Sequence, residues 1–324
     1  MDTLRIGLIG VGGFARYRLG NLLQVPEAQV VAMADASPDQ IRQTKEKHAA
    51  TAAAKEYSDY REMIAAGGLD AIMIQTPHDQ HAHQMLAGFE AGLHVCTEKP
   101  MVTSVDDAER VIAARDKSGK VGMVSYQRHL QPEFRYIREQ IASGVAGKVT
   151  YIQALMVQDW KKFTSGTWRQ DFAQSGGGML NDSGSHVIDV LLWSTGLQPE
   201  SVVALIDNRG TAVDIDSAVA IRFQGGAIAN LAIVGDTPGW DEDFTICCEK
   251  KAFYMRKNKL STMDRDGNNF VAEQLGGGST PDRNFVDACL GRAEVESPLE
   301  CGLAAVKLTQ AIYKAAESGV ATKV

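Results

Sequence analysis

The sequence predicts an α/β protein: a doubly wound parallel sheet first, then an α+β domain on a mostly antiparallel, open sheet. Three observations support this fold class. A strand-like run at residues 4–9 leads directly into a glycine-rich turn, and apolar strands then alternate with helices up to residue 124. Beyond residue 124, turns rather than helices join most of the strand-like runs. We therefore expect two domains, residues 1–124 and residues 125–324.

Length and composition are those of a globular protein, with 324 residues, 44% hydrophobic residues and a net charge of −7. Basic residues form no run longer than two adjacent lysines, so we expect no nucleic-acid partner. No apolar run reaches the length of a signal peptide or a membrane span. The five cysteines include no Cys-x-x-Cys pair, which argues against a disulfide framework or a zinc site and favours the reducing cytoplasm.

The first strand, Leu4–Ile9, is followed at once by a Gly-x-Gly-x-x-Ala turn and a helical stretch. In such a turn the first glycine permits the bend, and the second lets the backbone approach a pyrophosphate. The small third residue allows close helix packing, and the helix N-terminus faces the phosphates. The residues expected to bind a dinucleotide here are Gly10, Gly12, Gly13, Phe14 and Ala15.

The second strand, Gln29–Ala34, ends in Asp35, which lies about 20 residues past the turn, as dinucleotide-binding folds require. A carboxylate there accepts hydrogen bonds from ribose hydroxyls and repels a 2′-phosphate, so NAD is favoured over NADP. Ser37 and Pro38 suit the start of the next helix, and Ser37 also lies beside the expected ribose site.

The alternation continues to the end of the first domain. A buried-type strand at Asp70–Gln75 precedes a helix at Asp79–Ala91, and a capping-box-like Ser104 begins a further helix that ends near Gly119. The last expected strand is Lys120–Val124.

A polar segment follows the strand that ends at Gln75, so it lies at the carboxyl edge of the sheet, where ligands bind. Its three histidines match no standard zinc spacing, and no metal is predicted. Instead, either His78 or His81 is expected to line the cofactor site, together with Thr76 and Pro77.

The short strand Leu93–Thr97 ends in Glu98-Lys99-Pro100 at the same edge. A residue before proline is pushed out of the α region, which favours an extended, oriented Lys99. A surface ion pair is the simpler interpretation of the three residues taken alone.

In the second domain we expect a helix at Pro132–Ser143, a strand at Lys148–Gln158 and several strands joined by turns. Those strands are Val202–Ile206, Ser217–Phe223, Ala227–Val234, Asp243–Glu249 and Ala252–Met255. Two helices, near Asp282–Leu290 and Leu299–Ser318, end the chain. Such a sheet carries helices on one face and leaves the other for a partner subunit, so a homodimer or homotetramer is expected.

One segment of the second domain begins with three glycines, Gly176–Gly178, which we interpret as a flexible lead-in to a helix. Asp182 and His186 are four residues apart, so both lie on one helix face if the helix has begun by Asp182. A carboxylate beside an imidazole fixes the ring tautomer and keeps it available as a base; an N-cap aspartate is the alternative. Upstream, Trp168 and Arg169 offer an apolar plate and a cation for a hydroxylated ring.

These motifs resemble the family of glucose–fructose oxidoreductase, inositol dehydrogenase and MocA, and the resemblance covers nearly the whole chain. The motifs are the glycine turn, Thr76-Pro77 with His81, Glu98-Lys99-Pro100, Thr167-Trp168-Arg169 and the segment from Gly176 to Asp189. The resemblance implies an NAD(P)-dependent oxidoreductase that acts on a sugar, cyclitol or related polyol.

By this resemblance Lys99 contacts both cofactor and substrate, His186 is the general base and Asp182 binds substrate or orients the base. Glu98 is implied at the cofactor site, and His78 stands where the family usually has asparagine. The further substrate-binding positions that we expect are Arg128, Asp159, Trp168, Arg169 and Ser183.

Two other functions fit the same residues. Some family members are glycosidases that oxidise a sugar transiently, eliminate and reduce again with bound NAD, which cleaves a bond without net NADH. A non-catalytic dinucleotide sensor is the second, although a sensor has no need for a base.

Overall fold

The computed structural model describes residues 3–271 and 275–324. The chain divides into two compact units. The first comprises Met1–Gln127 and Ser279–Leu303, and the second comprises Arg128–Gly278 and Ala304–Val324.

The first unit contains a six-stranded sheet in the order β3-β2-β1-β4-β5-β6, and every neighbouring pair is parallel. Its strands are β1 (Leu4–Ile9), β2 (Ala28–Ala34), β3 (Lys55–Tyr57), β4 (Ala71–Ile74), β5 (His94–Thr97) and β6 (Gly122–Val124). Its helices up to residue 127 are α1 (Gly13–Leu22), α2 (Pro38–Lys47), α3 (Tyr60–Ala65), α4 (His81–Glu90) and α5 (Val105–Ser118). The predicted doubly wound parallel sheet is confirmed.

Local chemistry explains these boundaries. The central strand β4 is entirely apolar and buried, as a parallel strand covered on both faces must be. The hydroxyl oxygen of Ser104 accepts a hydrogen bond from the Asp107 N–H and begins α5, while Gly119 ends it with a φ of 65°. Only β3 lacked a sequence signal, because its three residues, Lys-Glu-Tyr, show no apolar pattern.

The second unit contains a nine-stranded sheet and most of the remaining helices. Its helices are α6 (Pro132–Ala142), α7 (Trp160–Phe163), α8 (Phe172–Ser175) and α9 (Gly184–Thr195). Its strands are β7 (Val149–Gln158), β8 (Pro199–Asp207), β9 (Asp216–Phe223), β10 (Ile228–Val234), β11 (Trp240–Cys248), β12 (Lys251–Arg256), β13 (Lys259–Asp264), β14 (Asn269–Val271) and β15 (Thr322–Lys323).

This sheet has the order β14-β13-β12-β11-β7-β10-β9-β8-β15. All neighbours are antiparallel except β7 and β10, so the expected mostly antiparallel sheet is confirmed. The sequence did not reveal β13, β14 or β15, which lie toward the sheet edges. Of these, β14 has three residues and β15 has two. Burial alternates along β9 with a period of two, so one face is buried and the other is open.

Two later helices complete the fold, α10 (Pro281–Cys289) and α11 (Leu299–Ser318). The sequence assigned everything after residue 124 to the second domain, whereas residues 279–303 belong to the first unit. Residues 279–303 belong to the first unit because their side chains contact it. Asp282 pairs with Arg18 of α1, Arg283 pairs with Glu27, and Phe285 lies in the core of the parallel sheet. Within the described residues, no helix has the length and apolar character that a bilayer crossing needs.

Candidate active site

The glycine turn after β1 has the geometry that a dinucleotide requires. Gly10 has a φ of 78°, and a Cβ there would lie 2.8 Å from the Thr76 side chain and 2.9 Å from the Gln75 backbone. Gly12 faces open space: among residues 3–271 and 275–324, no atom other than those of its two neighbours lies within 4 Å of the position of a Cβ. Ala15 is buried and Phe14 is exposed. The turn therefore leaves room at Gly12 for a pyrophosphate, beside the N-terminus of α1.

Asp35 lies at the end of β2, as the sequence predicted, and its carboxylate is fixed by two backbone donors. Oδ2 accepts from the Val11 N–H at 2.9 Å, inside the glycine turn, and Oδ1 accepts from the Ser37 N–H at 2.9 Å. Two such bonds hold the carboxylate beside the turn. These residues fit the adenosine ribose of NAD.

The segment after β4 is tied to the residues after β5 by one histidine. The ring of His81 is fully buried, with Nδ1 2.9 Å from the Pro100 carbonyl oxygen and Nε2 3.0 Å from the Thr76 carbonyl oxygen. Burial lowers the pKa of His81, although both carbonyls act in the opposite direction. His78 is also buried, with its ring 5.7 Å from that of His81. His81 therefore joins two loops, and its ring nitrogens face protein carbonyls.

Glu98 is buried at the end of β5 and pairs with Arg18 of α1. The same guanidinium lies 3.1 Å from Asp282 of α10. Burial alone would lower the pKa of Arg18, but the two carboxylates raise it well above its usual value. The Lys99 N–H donates to Glu98 Oε2 at 3.3 Å, and Lys99 is half-buried. Glu98 therefore belongs to a buried ionic network with Arg18 and Asp282. It does not form the simple surface ion pair that Glu98-Lys99-Pro100 taken alone had suggested.

In the second unit, Asp182 lies at the centre of a hydrogen-bonded cluster. Its Oδ2 accepts from Trp160 Nε1 at 2.9 Å and from Arg169 Nε at 3.1 Å. The guanidinium of Arg169 also stacks over the Trp168 ring, 4.4 Å from the ring centroid. The structure therefore brings together three of the predicted site residues, and it adds Trp160, which the sequence did not single out.

The helix α9 begins at Gly184, two residues after Asp182, so the condition that we set for a shared helix face is not met within α9 itself. The residues before α9 form turns instead: the Asp182 N–H donates to the Gly178 carbonyl, the Gly184 N–H donates to the Met179 carbonyl, and the His186 N–H donates to the Ser183 carbonyl. His186 occupies the first turn of α9 and is half-buried.

The triple glycine is tightly packed and hydrogen-bonded, so the expectation of a flexible lead-in is wrong. The Gly178 N–H donates to Asp214 Oδ1 at 2.6 Å, and the Tyr313 hydroxyl donates to the same oxygen at 2.6 Å. A Cβ at Gly178 would lie 1.9 Å from the Asp214 carbonyl oxygen, and one at Gly177 would lie 2.2 Å from the Tyr313 hydroxyl. Small residues are needed here for close packing, not for freedom of movement.

The remaining predicted positions lie in the same unit. Arg128 is buried and forms a bidentate pair with Glu242 of β11. Asp159 lies 3.8 Å from Lys162, and the Ser183 hydroxyl donates to Gln158 at 3.0 Å. Asp189 forms a buried pair with His129, and burial raises the pKa of Asp189.

Comparison with known proteins agrees with these features. Residues 4–126 match the model of an oxidoreductase family with an NAD-binding Rossmann fold (GFO_IDH_MocA), and residues 134–254 match the C-terminal domain of the same family. The chain belongs to this family. Its parallel unit is the NAD-binding part of an oxidoreductase fold, and the resemblance noted in the sequence is confirmed.

The individual relatives described next share 20–28% sequence identity with this chain. Myo-inositol 2-dehydrogenase of Thermotoga maritima is 28% identical over 231 residues, which are 69% of this chain and 66% of that protein. The chain thus spans slightly less than two thirds of that relative. The WlbA dehydrogenase of Bordetella pertussis, solved with NADH and UDP-GlcNAcA, superposes with a TM-score of 0.84 at 24% identity, covering 99% of each chain. Levoglucosan dehydrogenase, solved with NADH and L-sorbose, gives 0.90 at 20% identity, covering 100% of this chain and 99% of that one.

Proposed function

We propose that the protein is an NAD-dependent dehydrogenase that transfers a hydride between the nicotinamide and a secondary carbinol of a sugar, cyclitol or related polyol. The observation that carries this proposal is the Asp182 carboxylate, which Trp160 and Arg169 hold in place immediately before the helix that bears His186. An imidazole that follows a fixed carboxylate can act as the general base that takes a proton from a hydroxyl. Inositol and levoglucosan dehydrogenases among the relatives support the substrate class.

In this proposal each residue has one role. His186 takes the proton of the carbinol hydroxyl, and Asp182 orients the substrate or the imidazole. Lys99, which the Glu98 network holds, donates to the developing alkoxide oxygen. NAD, when bound, supplies the hydride acceptor. Trp168, Ser183 and the other expected substrate contacts hold the ring.

The test is a substrate screen followed by the absorbance of reduced nicotinamide. Purified protein is mixed with NAD⁺ or NADP⁺ and a panel of cyclitols, aldoses, uronates and amino sugars. Growth of NADH with one class supports the proposal. Absence of NADH with the whole panel, while NAD binds, contradicts it. Cleavage of nitrophenyl glycosides would then indicate the glycosidase function, and no cleavage would indicate a sensor.

Single variants then test the roles. Lys99→Ala is expected to lower kcat by about 100-fold or more, because an interaction made with the developing charge is lost. The Kd for NADH is expected to change little. Near-normal turnover in Lys99→Ala would remove the lysine from the mechanism.

We also propose that the chain forms a homodimer or homotetramer through the open face of the nine-stranded sheet. Val203 and Leu205 of β8 and Ile228 of β10 are exposed, with Leu205 77% accessible. Exposed apolar side chains on a sheet face suit a partner subunit. Light scattering of wild type and Leu205→Glu tests this: the variant is expected to be smaller than the wild type, and a wild type that is already monomeric contradicts the proposal.

A further inference from the structure

Arg16 lies in the first turn of α1, directly after the glycine turn, and neutral partners hold its guanidinium. Nη1 donates to the Val11 carbonyl oxygen at 3.1 Å and to Gln40 Oε1 of α2 at 2.6 Å. Helical side chains point toward the N-terminus of their own helix, so these two bonds bring the cation back over the beginning of α1. Both partners therefore position the guanidinium without neutralising its charge.

The other arginines of the first unit are neutralised. The unit contains nine arginines, and eight of them form an ion pair with an aspartate or a glutamate. Among residues 3–127 and 279–303, Arg16 is the only arginine without such a pair, and its side chain donates only to Val11 and Gln40. A fixed cation whose charge is not balanced is therefore specific to the glycine turn.

A cation at this end of α1 is unfavourable unless an anion lies beside it. The backbone N–H groups that begin a helix already carry partial positive charge, which favours acidic side chains and disfavours basic ones. The helices α2, α3 and α5 each have an acidic residue in the first turn, whereas α1 has none. A bound phosphate supplies the negative charge that this helix end lacks.

The guanidinium also has a donor that a ligand can reach. Arg16 is half-buried, and its Nη2 lies 3.9 Å from the position of a Cβ on Gly13, an exposed residue. Within residues 3–271 and 275–324, Nη2 makes no hydrogen bond, and it is not one of the buried side-chain atoms without a partner. Nη2 is therefore accessible, beside the open space at Gly12.

The same turn residue binds both Arg16 and Asp35. The Val11 N–H donates to Asp35 Oδ2 at 2.9 Å, and the Val11 carbonyl oxygen accepts from Arg16 Nη1 at 3.1 Å. The N and O atoms of one residue are at most about 4 Å apart, so the cation and the carboxylate lie within about 10 Å of each other. Arg16 is thus near both the expected pyrophosphate and the expected adenosine ribose.

We propose that Arg16 binds a phosphate of the nicotinamide dinucleotide, with Nη2 donating to a phosphate oxygen. Every such cofactor carries the pyrophosphate, and only NADP carries a 2′-phosphate on the ribose. A guanidinium recognises both by the same charge-assisted hydrogen bond. The Gly-x-Gly-x-x-Ala pattern ends one residue before this arginine, so the pattern does not reveal it. The inference concerns the cofactor alone and does not depend on the substrate.

The experiment measures the Kd values of NADH and NADPH by nicotinamide fluorescence for wild type, Arg16→Gln and Arg42→Gln. Arg16→Gln removes the charge but keeps a polar side chain, and Kd is expected to rise by about 10-fold because a charge-assisted hydrogen bond is lost. A rise for both cofactors assigns Arg16 to the pyrophosphate, and a rise for NADPH alone assigns it to the 2′-phosphate. Arg42→Gln removes an exposed arginine that pairs with Asp39, and it is expected to leave both Kd values unchanged.

Salt provides a second readout. Higher ionic strength is expected to weaken binding to wild type more than binding to Arg16→Gln, since it screens a contact between a cation and a phosphate. Arg16→Lys keeps the charge without the planar fork, and its Kd is expected to lie between those of wild type and Arg16→Gln. Wild-type Kd values for both cofactors in folded Arg16→Gln overturn the inference.

A further variant covers the case in which Arg16→Gln does not fold. Gln40→Ala leaves the charge of Arg16 in place but removes the side-chain acceptor that positions it, so binding is expected to weaken by about 3-fold. Unchanged binding in Gln40→Ala then overturns the inference. Because every readout is binding, a protein that binds NADH but oxidises nothing in the substrate screen contradicts the proposed function and still tests Arg16.

Discussion

The guanidinium of Arg18 donates to the carboxylate of Glu98, the residue immediately before Lys99. Arg18 belongs to α1, the helix that the glycine turn begins, whereas Glu98 follows β5. Asp282 of α10 binds the same guanidinium. One buried arginine therefore connects the cofactor helix, the proposed catalytic lysine and the segment that returns to the first unit late in the chain.

Replacing this arginine should destabilise the first unit strongly. Arg18→Met leaves two buried carboxylates without their cation, so the free energy of unfolding is expected to fall by about 3–5 kcal/mol. Urea denaturation of the NAD-free protein measures the change. Arg42→Met is the matched control, because Arg42 pairs with Asp39 on the surface of α2, with 63% of its side chain exposed. It is expected to cost about 0.5 kcal/mol or less. Equal stability of the two variants would show that the buried network contributes nothing.

The packed glycines lead to a second prediction. Gly178→Ala must move the Asp214 carbonyl, from which a Cβ would be only 1.9 Å away, so we expect a loss of about 3 kcal/mol of stability together with reduced turnover. Thermal unfolding and the kcat of the surviving folded protein measure the two effects. Gly276→Ala is the control, since in the described part of the chain no atom beyond its two neighbours lies within 4 Å of a Cβ there. A Gly178→Ala variant as stable and active as Gly276→Ala would restore the interpretation of a flexible lead-in.

Sequence patterns located several elements of the parallel sheet that depend on neighbours along the chain. The glycine turn, Asp35 after the second strand and Glu98-Lys99 after β5 were all placed correctly at the carboxyl edge of the parallel sheet. These features follow from strand, turn and helix chemistry within a few residues. The same holds for the Ser104 cap of α5.

Contacts between distant residues were beyond such patterns. Arg18 pairs with a residue 80 positions away and with another 264 positions away, and Arg128 pairs with Glu242 across 114 positions. One faint signal existed, because Arg18 interrupts the buried stripe of Ala15, Leu19 and Leu22 on α1. A charge on a buried helix face must have a partner, but only the fold shows which one. Gly178 was misread for the same reason, since its close neighbour Asp214 is 36 residues away.

The loss of folding stability at acid pH should depend on His81. Burial lowers the pKa of His81 below its usual value of 6.5, so between these two values the unfolded chain binds more protons than the native protein. This contribution is fully present above about pH 6.5 and is lost as the pH falls toward the native pKa. Urea midpoints measured from pH 8 to pH 5 should show the decline, and His81→Gln should flatten it.

The same variant has a cost at alkaline pH. His81→Gln disturbs the contacts to Pro100 and Thr76, and it is expected to lower stability at pH 8 by about 1–3 kcal/mol. His83→Gln, on the exposed side of the same helix, is the control and should follow the wild type at every pH. If the wild type and both variants had the same pH profile, the loss of stability at acid pH would come from other titrating groups.

Cofactor choice should follow the charge of Asp35. Its carboxylate is fixed by the N–H groups of Val11 and Ser37, so it cannot turn away from a 2′-phosphate, and the repulsion favours NADH over NADPH. Asp35→Asn removes the charge with little change of shape, and the ratio of the two Kd values, measured by nicotinamide fluorescence, is expected to shift toward NADPH by about 10-fold. Asp39→Asn, an exposed acid at the start of α2, should leave the ratio as it is. Because the readout is binding, the result does not depend on the substrate, and a ratio that Asp35→Asn leaves unchanged would mean that the ribose of the cofactor lies elsewhere.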